Sequence, residues 1–582
     1  MSASGVVGNF VRRPFPMGHL DRTVNLATVS GVASTKPELI RWFDRYIPAV
    51  GIITTKSFQV RPNPGNREPV ICETSEGNFG NSVGLRNPGM DVALPELEKL
   101  REGGLSAWLN TSVSADNPDD FITLVRAFDG VSDSIELNFS CPHAKAGYGA
   151  SIGVDAEIAA DYVKKICQGY PERQSLLFVK LTPNVDNIGE IAKAVMAAGA
   201  DGITAINTVG PVLHTDPASG KPVLQNHLGG KGGKSGEWVY GRAIEAIREI
   251  RAAVGESVPV IGMGGVSDGQ KCFEMIEAGA DAVGIGSALA HVGQKNWTEY
   301  FDAVKAEASA LLRGEKPEIK SRGMLSRGRV MEYKPYTVTK AIVQGDDTLF
   351  LYLDGSMKDF KAGEFVFLWV PGLGEKPFSV AKSDPLMFLI KKRGIFTTAL
   401  IENTKAGDTI MMRGPYGEVA HMPESDKFMI IAGGTGEAVA YPLASKLHEE
   451  GKKTAFMVGT SVEGDKGTME EELRAFGRYI CVSDHGKPAR ILDHLEEEMK
   501  ALAGGDSFND MVYCLVGPEI FMKVGAHKIA DLGVDPDRIL ISMEKNTMCG
   551  VGLCGECSCG GRLACQWGSF MTLDFLEKEN VL

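Results

Sequence analysis

The sequence predicts an α/β protein with a (β/α)8 TIM barrel at its N-terminus, followed by a small antiparallel β-barrel, an α/β nucleotide-binding domain and a small cysteine-rich domain. Strand-like runs alternate with amphipathic segments over residues 20–290, and the pattern changes to short strands and turns after residue 330. Five of the 11 cysteines stand within residues 549–565. A chain of 582 residues is too long for one core, so several domains are expected.

The barrel is predicted from the regular alternation of strands and helices. Segments such as IGEIAKAVMAAGA, with apolar residues at helical spacing, lie between most of the strand-like runs. The alternation is typical of a (β/α)8 barrel, which we assign to residues 1–312. The runs are TVNLATVS (23–30), AVGIITTKS (49–57), LSAWLNTS (105–112), SIELNFS (134–140), LLFVKLT (176–182), GITAINTV (202–209), PVIGMGGV (259–266) and AVGIGSAL (282–289).

Polar residues and glycines stand where these strands end. In such barrels the C-terminal strand ends form the active-site face, and phosphate commonly binds after the seventh and eighth strands. Glycine turns there allow backbone N–H groups to approach an anion closely. The strand-end residues are Lys56, Asn110, Asn138, Lys180 and Asn207, followed by the turns Gly264-Gly265 and Gly286-Ser287.

Cys141 lies in the run NFSCPH, at the end of the fourth strand, next to Asn138 and His143. A lone cysteine is most often a small buried hydrophobe. Its polar neighbours and its strand-end position favour a general acid/base instead. Lys56 and Lys180 follow otherwise apolar strands, where an unpaired ammonium is costly to bury, so we expect them to contact an anionic or electron-rich ligand.

The second half of the chain divides into a linker (313–329), a β-barrel (330–425), an α/β domain (426–540) and a C-terminal domain (541–582). In the α/β domain, AGGTGEA follows the apolar run FMII and has the strand–turn–helix form of a pyrophosphate-binding loop. A second turn, VGPEIFM, stands where the next nucleotide-contacting loop belongs. Together they favour binding of a nicotinamide dinucleotide over a purely structural role. The glycines concerned are Gly433, Gly434, Gly436 and Gly517.

The cysteine-rich domain carries the most specific motif. Its spacing is Cys549-x4-Cys554-x2-Cys557-x7-Cys565, and the first three positions match plant-type [2Fe–2S] ligation. A zinc site with four thiolates is the alternative, which the x4 spacing and the interleaved glycines disfavour. We interpret Cys559 as a bystander.

Charge and hydropathy exclude several function classes. The formal net charge is −13 with no long Lys/Arg run, which argues against a nucleic-acid surface or docking on anionic lipid. No run of about 20 apolar residues could span a bilayer, and the apolar stretch before Arg12 is too brief for a signal peptide. We therefore expect a cytoplasmic protein that contacts no membrane.

With these motifs in view, nearly the whole chain resembles the NAD-linked dihydroorotate dehydrogenases, with the FMN catalytic subunit fused to the FAD and iron–sulfur electron-transfer subunit. The barrel carries the family's T-K and P-G-N-x-x-P motifs at residues 55–56 and 64–69. It also carries the loop N-S-x-G-L-x-N-P-G at 81–89 and N-x-S-C-P at 138–142. Lys180, Asn207-Thr208 and the two glycine turns follow in the family's order.

The resemblance implies an oxidoreductase acting on CH–CH bonds that interconverts dihydroorotate and orotate. Cys141 would be the acid/base opposite the flavin, with His143 beside it, and Lys56 and Lys180 would support the charge of flavin and substrate. Asn110 and the two glycine turns would bind FMN. A homodimer through the barrels is also implied. The residues expected around the pyrimidine ring are Asn81, Gly84, Leu85, Asn138, Asn207 and Thr208.

The second half resembles the family's ferredoxin-reductase-like electron-transfer subunit more loosely. The FAD motif R-P-x-S appears here as Lys376-Pro377-Phe378-Ser379, and Gly394 and Thr397 fit the following phosphate turn. Lysine keeps the charge of arginine but loses its bidentate geometry. The loop GGTGEA stands where the family usually has G-G-G-x-G. The resemblance implies that electrons pass between FMN, the [2Fe–2S] cluster, FAD and NAD(H).

One departure keeps the substrate open. The family's S-C-P-N is S-C-P-H here, as in the dihydropyrimidine dehydrogenases, and His143 replaces an amide with a titratable ring. An NAD(P)H-dependent reductase of uracil, thymine or another conjugated ring or enone is therefore the alternative. An electron-transfer or redox-sensing protein with an inactive barrel is a further alternative, which the Lys56, Cys141 and Asn207 set argues against.

Overall fold

The computed structural model describes residues 13–139, 152–418, 421–460, 467–483 and 490–582. The chain divides into two compact units. The first holds the described residues up to Glu332 together with the short segment Val551–Glu556. The second holds Tyr333–Gly550 and Cys557–Leu582. The division into five segments predicted from the sequence stays a prediction.

The first unit contains a closed barrel of eight parallel strands, and each predicted run overlaps one of them. Every strand pairs with its neighbours among the eight, and the first strand closes the sheet by pairing with the last, as in Leu26↔Val283. The predicted N-terminal TIM barrel is thus confirmed. The strands are Leu26–Thr28, Val50–Thr54, Trp108–Val113, Ser134–Asn138, Leu176–Lys180, Gly202–Ala205, Val260–Met263 and Ala282–Ile285.

Helices follow the barrel strands and bury an apolar face. Several begin at side-chain caps: Asn117 accepts a hydrogen bond from the Asp120 N–H, and Asp268 accepts one from the Lys271 N–H, each over 2.9 Å. The major helices are Pro37–Tyr46, Met90–Glu102, Pro118–Phe128, Ala156–Gly169, Ile188–Ala197, Tyr240–Val254, Gly269–Glu277 and Trp297–Leu312. Two four-residue helices, Gly18–Asp21 and Lys320–Gly323, also belong to this unit.

A four-stranded antiparallel sheet is added to the barrel unit, and the sequence analysis did not predict it. Its order is Ile71–Ser75, Asn78–Asn81, Lys231–Gly236 and Val209–Leu213. These strands are short and three of them contain glycine, so they lack the alternation of apolar and polar residues that identifies a strand. The sheet matters for the site because it carries Asn81.

The second unit contains two larger sheets. One is antiparallel, with seven strands in the order Gly374–Ser379, Phe365–Val370, Thr409–Tyr416, Lys334–Gln344, Thr348–Leu353, Leu386–Lys391 and Lys382–Ser383. The other has five parallel strands and one antiparallel edge strand, in the order Gly477–Ser483, Lys453–Thr460, Lys427–Gly433, Met511–Val516, Ile539–Ser542 and Phe570–Thr572. A two-stranded hairpin, Ser558–Cys559 with Arg562–Leu563, lies near the C-terminus.

Helices in this unit accompany both sheets, and the one that begins at Ile395 lies between two strands of the antiparallel sheet. They are Ile395–Asn403, Glu437–Glu449, Glu470–Arg474, Leu495–Ala503, Glu519–Asp531, Ala564–Trp567 and Leu573–Lys578. Within the part of the chain that the structure describes, no helix has both the length and the apolar character needed to cross a membrane.

Candidate active site

The carboxyl ends of the barrel strands open into a cavity of about 220 Å³. Parallel strands place their C-terminal ends at one rim of the barrel, which is why residues far apart in sequence meet there. Most of the residues predicted for the barrel site line this cavity: Lys56, Asn81, Gly84, Leu85, Asn138, Lys180, Asn207, Thr208, Gly264, Gly265, Gly286 and Ser287.

Two asparagines are joined in a chain of polar contacts. The Asn207 amide nitrogen donates to the Asn138 amide oxygen over 3.4 Å, and the Asn138 nitrogen donates to the Ser57 hydroxyl over 3.0 Å. The Thr208 backbone N–H donates to the Asn207 oxygen over 2.7 Å. Side-chain amides held in this way offer donors and acceptors to the edge of a planar ring.

A buried ion pair joins two neighbouring barrel strands, between Glu136 in the middle of one and Lys180 at the end of the next. Lys180 Nζ lies 3.9 Å from Glu136 Oε1, and the two side chains are 6% and 0% exposed. Glu136 also accepts hydrogen bonds from the Ser112 hydroxyl over 3.1 Å and from the Asn110 amide over 3.4 Å. Asn110 does not line the cavity; it lies fully buried behind Glu136. Its predicted contact with the cofactor stays a prediction.

Lys56 is a second buried cation of the cavity. Burial lowers the pKa of its ammonium, and the nearby carboxylate of Glu556 opposes that shift. Lys56 Nζ and Glu556 Oε1 are 3.9 Å apart. The C-terminal cysteine loop thus supplies the acidic partner of this lysine, through a segment that belongs to the barrel unit.

This segment, Val551–Glu556, is held in the barrel unit by backbone contacts. The Ala33 N–H donates to the Leu553 carbonyl over 2.8 Å. The ammonium of Lys36 donates to the Glu556 carbonyl over 2.6 Å. Leu553 is itself one of the residues that line the cavity. The loop therefore contributes an apolar wall as well as a charge.

The Gly264-Gly265 turn has the positive φ angles that only glycine adopts readily. Gly264 and Gly265 have φ of 129° and 73°. A Cβ on Gly265 would stand 2.8 Å from the Gly236 carbonyl oxygen, and one on Gly286 would stand 2.6 Å from the Val29 side chain. Cations, amides and exposed backbone N–H groups around one cavity form a donor set that fits a flavin with its phosphate.

Cys141 and His143 lie outside the described residues, which stop at Phe139 and resume at Ile152. The strand Ser134–Asn138 ends three positions before Cys141 in the sequence. Their predicted catalytic roles therefore stay predictions.

In the second unit, the two predicted nucleotide-binding loops lie side by side. They follow the adjacent parallel strands that pair Ala432 with Val516. Gly517 has φ of 149°, and a Cβ on it would stand 3.1 Å from the Gly433 nitrogen. Gly434 and Gly436 form the turn that leads into the helix Glu437–Glu449. A glycine turn at a helix N-terminus suits a pyrophosphate.

The residues predicted to bind FAD belong to the antiparallel sheet and to the helix Ile395–Asn403 of the same unit. Lys376, Pro377 and Ser379 lie on the strand Gly374–Ser379. Gly394 precedes the helix, and the Thr397 hydroxyl accepts hydrogen bonds from the N–H groups of Arg393 and Gly394 over 2.9 and 3.1 Å. The predicted role of these five residues in binding FAD stays a prediction.

The cysteines of the predicted cluster are all buried. In the second unit, hydrogen bonds from Cys549 and Cys557, together with burial, hold the pKa of the Cys565 thiol well above its ordinary value. Cys554 belongs to the barrel unit, where its charge, like that of Glu556, opposes the lowering of the pKa of Lys56 by burial. Over the described ranges, no group of three or more His, Cys, Asp or Glu side chains is arranged to hold a metal ion.

Several residues of the cavity and their partners were not predicted from the sequence. Ser57 and Leu553 line it, and Glu136 and Glu556 pair with its lysines. Glu136 had a readable signal, because a glutamate between apolar residues in SIELN is out of place in a buried strand unless it is paired. Glu556 had none, because its partner stands 500 residues away in the sequence.

The fold and the cavity define a barrel enzyme with an amide- and lysine-lined site at the strand C-termini. Residues 23–307 match the family model described as dihydroorotate dehydrogenase. The chain is 38% identical over 257 residues to the catalytic subunit of dihydroorotate dehydrogenase B (NAD(+)) of Methanocaldococcus jannaschii, covering 44% of this chain and 80% of that protein. The chain therefore belongs to the dihydroorotate dehydrogenase family.

Other relatives give the same result. The catalytic subunit of dihydroorotate dehydrogenase B (NAD(+)) of Methanopyrus kandleri is 40% identical over 239 residues, which are 40% of this chain and 73% of that protein. Dihydroorotate dehydrogenase A (fumarate) of Lactobacillus delbrueckii subsp. bulgaricus is 40% identical over 242 residues, 41% of this chain and 75% of that protein. A crystal structure of DHODH from Eimeria tenella in complex with ferulenol is 18% identical in sequence, with a TM-score of 0.40. The match covers 49% of this chain and 79% of that chain, and this likeness is too low to bear on fold or function.

Proposed function

We propose that this chain interconverts dihydroorotate and orotate at the barrel cavity and exchanges the electrons with NAD(H) through its second half. The observation that carries the proposal is the convergence of Asn81, Asn138, Asn207, Lys56 and Lys180 on one cavity of a barrel that belongs to the dihydroorotate dehydrogenase family. Bound FMN would accept or supply a hydride at a ring carbon of the substrate.

The residues of the cavity divide into three tasks. The amides of Asn138 and Asn207 orient the pyrimidine ring, since each is held by a hydrogen bond to its neighbour. Lys180, paired with Glu136, stabilises negative charge on the electron-rich edge of the flavin. Cys141 moves the proton at the carbon next to the hydride site.

Two glycine-containing turns and one apolar side chain hold the FMN in this proposal. The N–H groups of the turns at Gly264-Gly265 and Gly286-Ser287 bind the phosphate, because both turns line the cavity and their glycines have no side chain to hinder an anion. Leu553 closes one wall and excludes water from the reacting face.

The second unit would hold the remaining cofactors. The adjoining glycine loops at Gly433 and Gly517 support NAD(H) binding, and the strand with Lys376 and Ser379 supports FAD. Buried thiols at the spacing of plant-type ligation support a [2Fe–2S] cluster. Such a cluster spreads its four thiolates over two irons, so it does not require three protein ligands around one ion. A cytoplasmic homodimer stays a prediction.

The proposal is tested by anaerobic bleaching of the flavin in the purified, cofactor-loaded chain. Dihydroorotate should bleach the visible flavin absorbance, and NAD⁺ added afterwards should restore it with formation of NADH. Bleaching by dihydrouracil but not by dihydroorotate would establish the alternative substrate class that His143 suggests. If neither compound bleaches the flavin, the proposed function is wrong.

A further inference from the structure

Arg413 is a fully buried cation of the second unit that the proposed function does not use. It forms a two-pronged pair with Glu375: Nε lies 2.7 Å from Oε1, and Nη2 lies 2.8 Å from Oε2. Both side chains are 0% exposed. Replacing a buried ion pair with apolar residues is often neutral or stabilising, so its contribution to folding stability does not explain this one.

The remaining guanidinium nitrogen points to the cysteine loop. Nη1 of Arg413 donates to the Cys549 carbonyl over 2.7 Å and to the Tyr416 hydroxyl over 3.0 Å. Nη2 also reaches the Met548 carbonyl over 3.5 Å. Cys549 is the first thiol of the predicted cluster motif, so the buried arginine fixes the backbone from which that thiol projects.

The turn after Cys549 rests on the aromatic rings that surround the arginine. The guanidinium carbon lies 3.8 Å from the centre of the Phe367 ring. Gly550 has φ of 83°, and a Cβ on it would stand 3.0 Å from both the Phe367 and the Tyr416 rings. Only glycine allows the loop to approach so closely.

The strand that carries Arg413 and Tyr416 is also bonded, just past its end, to a second cysteine of the motif. Gly417, which follows the strand Thr409–Tyr416, donates its N–H to the Cys565 carbonyl over 3.1 Å. Two thiol-bearing residues that are 16 positions apart in the sequence, Cys549 and Cys565, are thus bound through their backbones to one short stretch of the antiparallel sheet.

We infer that Arg413, held by Glu375, is a positioning residue that sets the geometry and the reduction potential of the cluster from behind Cys549. The inference rests on the proposed function, because it takes the four-cysteine motif as the cluster site. Groups that orient metal ligands typically change metal affinity by about 10- to 100-fold when they are removed. Net charge and hydrogen bonding near a cluster also set its potential.

Two substitutions separate geometry from charge. Arg413→Lys keeps the positive charge but cannot bind both Glu375 oxygens and the Cys549 carbonyl at once. Glu375→Gln leaves the arginine uncompensated beside the cluster, which raises the reduction potential of the cluster. Tyr416→Phe removes one acceptor from Arg413 but keeps the ring, so it tests the network in a variant that retains its packing.

Arg251→Lys is the matched control. Arg251 is another buried arginine, with a carboxylate partner, Asp281, at 2.9 Å and backbone carbonyl partners at Gly279 and Val258. It belongs to the barrel unit, so its replacement perturbs a comparable buried network away from the cysteine motif.

The experiment compares full-length, cofactor-loaded chains by iron and sulfide content, cluster EPR spectrum and potential, and iron loss to a chelator. For Arg413→Lys we expect iron loss about 10-fold faster than in the wild type and an altered EPR spectrum. Tyr416→Phe should lose iron at a rate between those of the wild type and Arg413→Lys. Glu375→Gln should raise the reduction potential of the cluster, and Arg251→Lys should match the wild type in every measurement. Dihydroorotate should still bleach the flavin in every variant.

Two results would overturn the inference in distinguishable ways. If the wild type holds iron and sulfide while Arg413→Lys and Tyr416→Phe match it in chelation rate and EPR spectrum, Arg413 does not position the cluster and the proposed function stands. A wild-type chain that binds zinc without iron or sulfide would overturn both the cluster and the inference.

Discussion

Glu556 Oε1 lies 3.9 Å from Lys56 Nζ, so a carboxylate from the C-terminal cysteine loop faces a lysine of the barrel cavity. The two side chains are 19% and 10% exposed, which leaves little solvent to screen their interaction. The loop is anchored beside this pair by the Lys36 ammonium on the Glu556 carbonyl. The electrostatics of the cavity therefore depend on a residue between two cysteines of the predicted cluster motif.

Replacing Glu556 with glutamine should raise the reduction potential of the bound flavin. Removing a negative charge from the cavity favours the reduced, more anionic flavin by about 1 kcal/mol at an effective dielectric near 20. A dye-equilibrated anaerobic titration measures the potential. Glu318→Gln, which changes an exposed glutamate of the same unit, is the control and should leave it unchanged. A potential that falls or stays constant in Glu556→Gln would contradict the assigned role.

Lys180→Met should destabilise the barrel and release the flavin. The substitution leaves Glu136 as a buried, uncompensated charge, which costs about 3 kcal/mol or more. The double variant Lys180→Met/Glu136→Gln should recover much of the unfolding free energy, because it removes both charges, but it should not recover flavin binding. Urea denaturation and the flavin content after gel filtration measure the two effects. Recovery of flavin in the double variant would show that Lys180 has only a structural role.

Gly265→Ala should cost more stability than Gly255→Ala and should also abolish flavin retention. Both glycines have positive φ, 73° and 81°, so each substitution carries about 1 to 3 kcal/mol of backbone strain. Only at Gly265 does the new Cβ meet other atoms, 2.8 Å from the Gly236 carbonyl oxygen and the Tyr240 side chain, whereas nothing lies within 4 Å at Gly255. Thermal denaturation and flavin content test this difference. Equal flavin retention in the two variants would argue against phosphate binding at the Gly264-Gly265 turn.

The buried pair of His291 and Glu73 should make stability depend on pH. Burial opposes the charged imidazole, but the hydrogen bond and the charge of Glu73, 3.0 Å away, outweigh it and raise the pKa of His291 above 6.5. A raised pKa gives stability that is fully present below about pH 6.5 and is lost as the pH rises through the folded-state value.

The wild type should therefore lose more of its unfolding free energy than His291→Gln as the pH rises from about 6 to about 8. Denaturation midpoints of both chains at the two pH values give the comparison. Parallel pH profiles would show that His291 does not bind its proton more tightly in the folded protein.

Cys141→Ala should collapse turnover of the pyrimidine substrate by several orders of magnitude while leaving NADH oxidation by an artificial acceptor intact. The thiol is the proposed proton-transfer group of the barrel, and its loss removes general acid/base catalysis worth about 10²- to 10⁴-fold. Cys272→Ala, at a buried barrel cysteine away from the cavity, is the matched control. Unchanged turnover in Cys141→Ala would reject the assignment.

The barrel could be predicted from the sequence because its signals are local. Each strand is a short apolar run, and nearly every run ends in a polar residue or a glycine that a core would not select, such as Lys180 or Gly264. Parallel strands then carry these residues to one rim, so the cavity follows from the order of the runs. Asn110 lies within its strand and donates a hydrogen bond to Glu136, so its predicted contact with the cofactor stays a prediction.

The remaining features depend on contacts that no local pattern encodes. Glycine-rich strands such as Lys231–Gly236 have no alternation, so the sheet that carries Asn81 was not predicted. The partners of Lys56 and Arg413 come from distant segments: Glu556 lies in the cysteine loop, and Arg413 contacts Cys549. Long-range ion pairs follow from the fold and not from spacing along the chain, so the sequence alone could not indicate them.

The most direct test of the account is anaerobic oxidation of NADH by the cofactor-loaded chain, with orotate in one cuvette and uracil in another. We predict NADH oxidation with orotate and none with uracil. This result would mean that His143 is a tolerated replacement in the S-C-P loop. Oxidation with uracil alone, or with neither compound, would contradict the proposed reaction of the barrel.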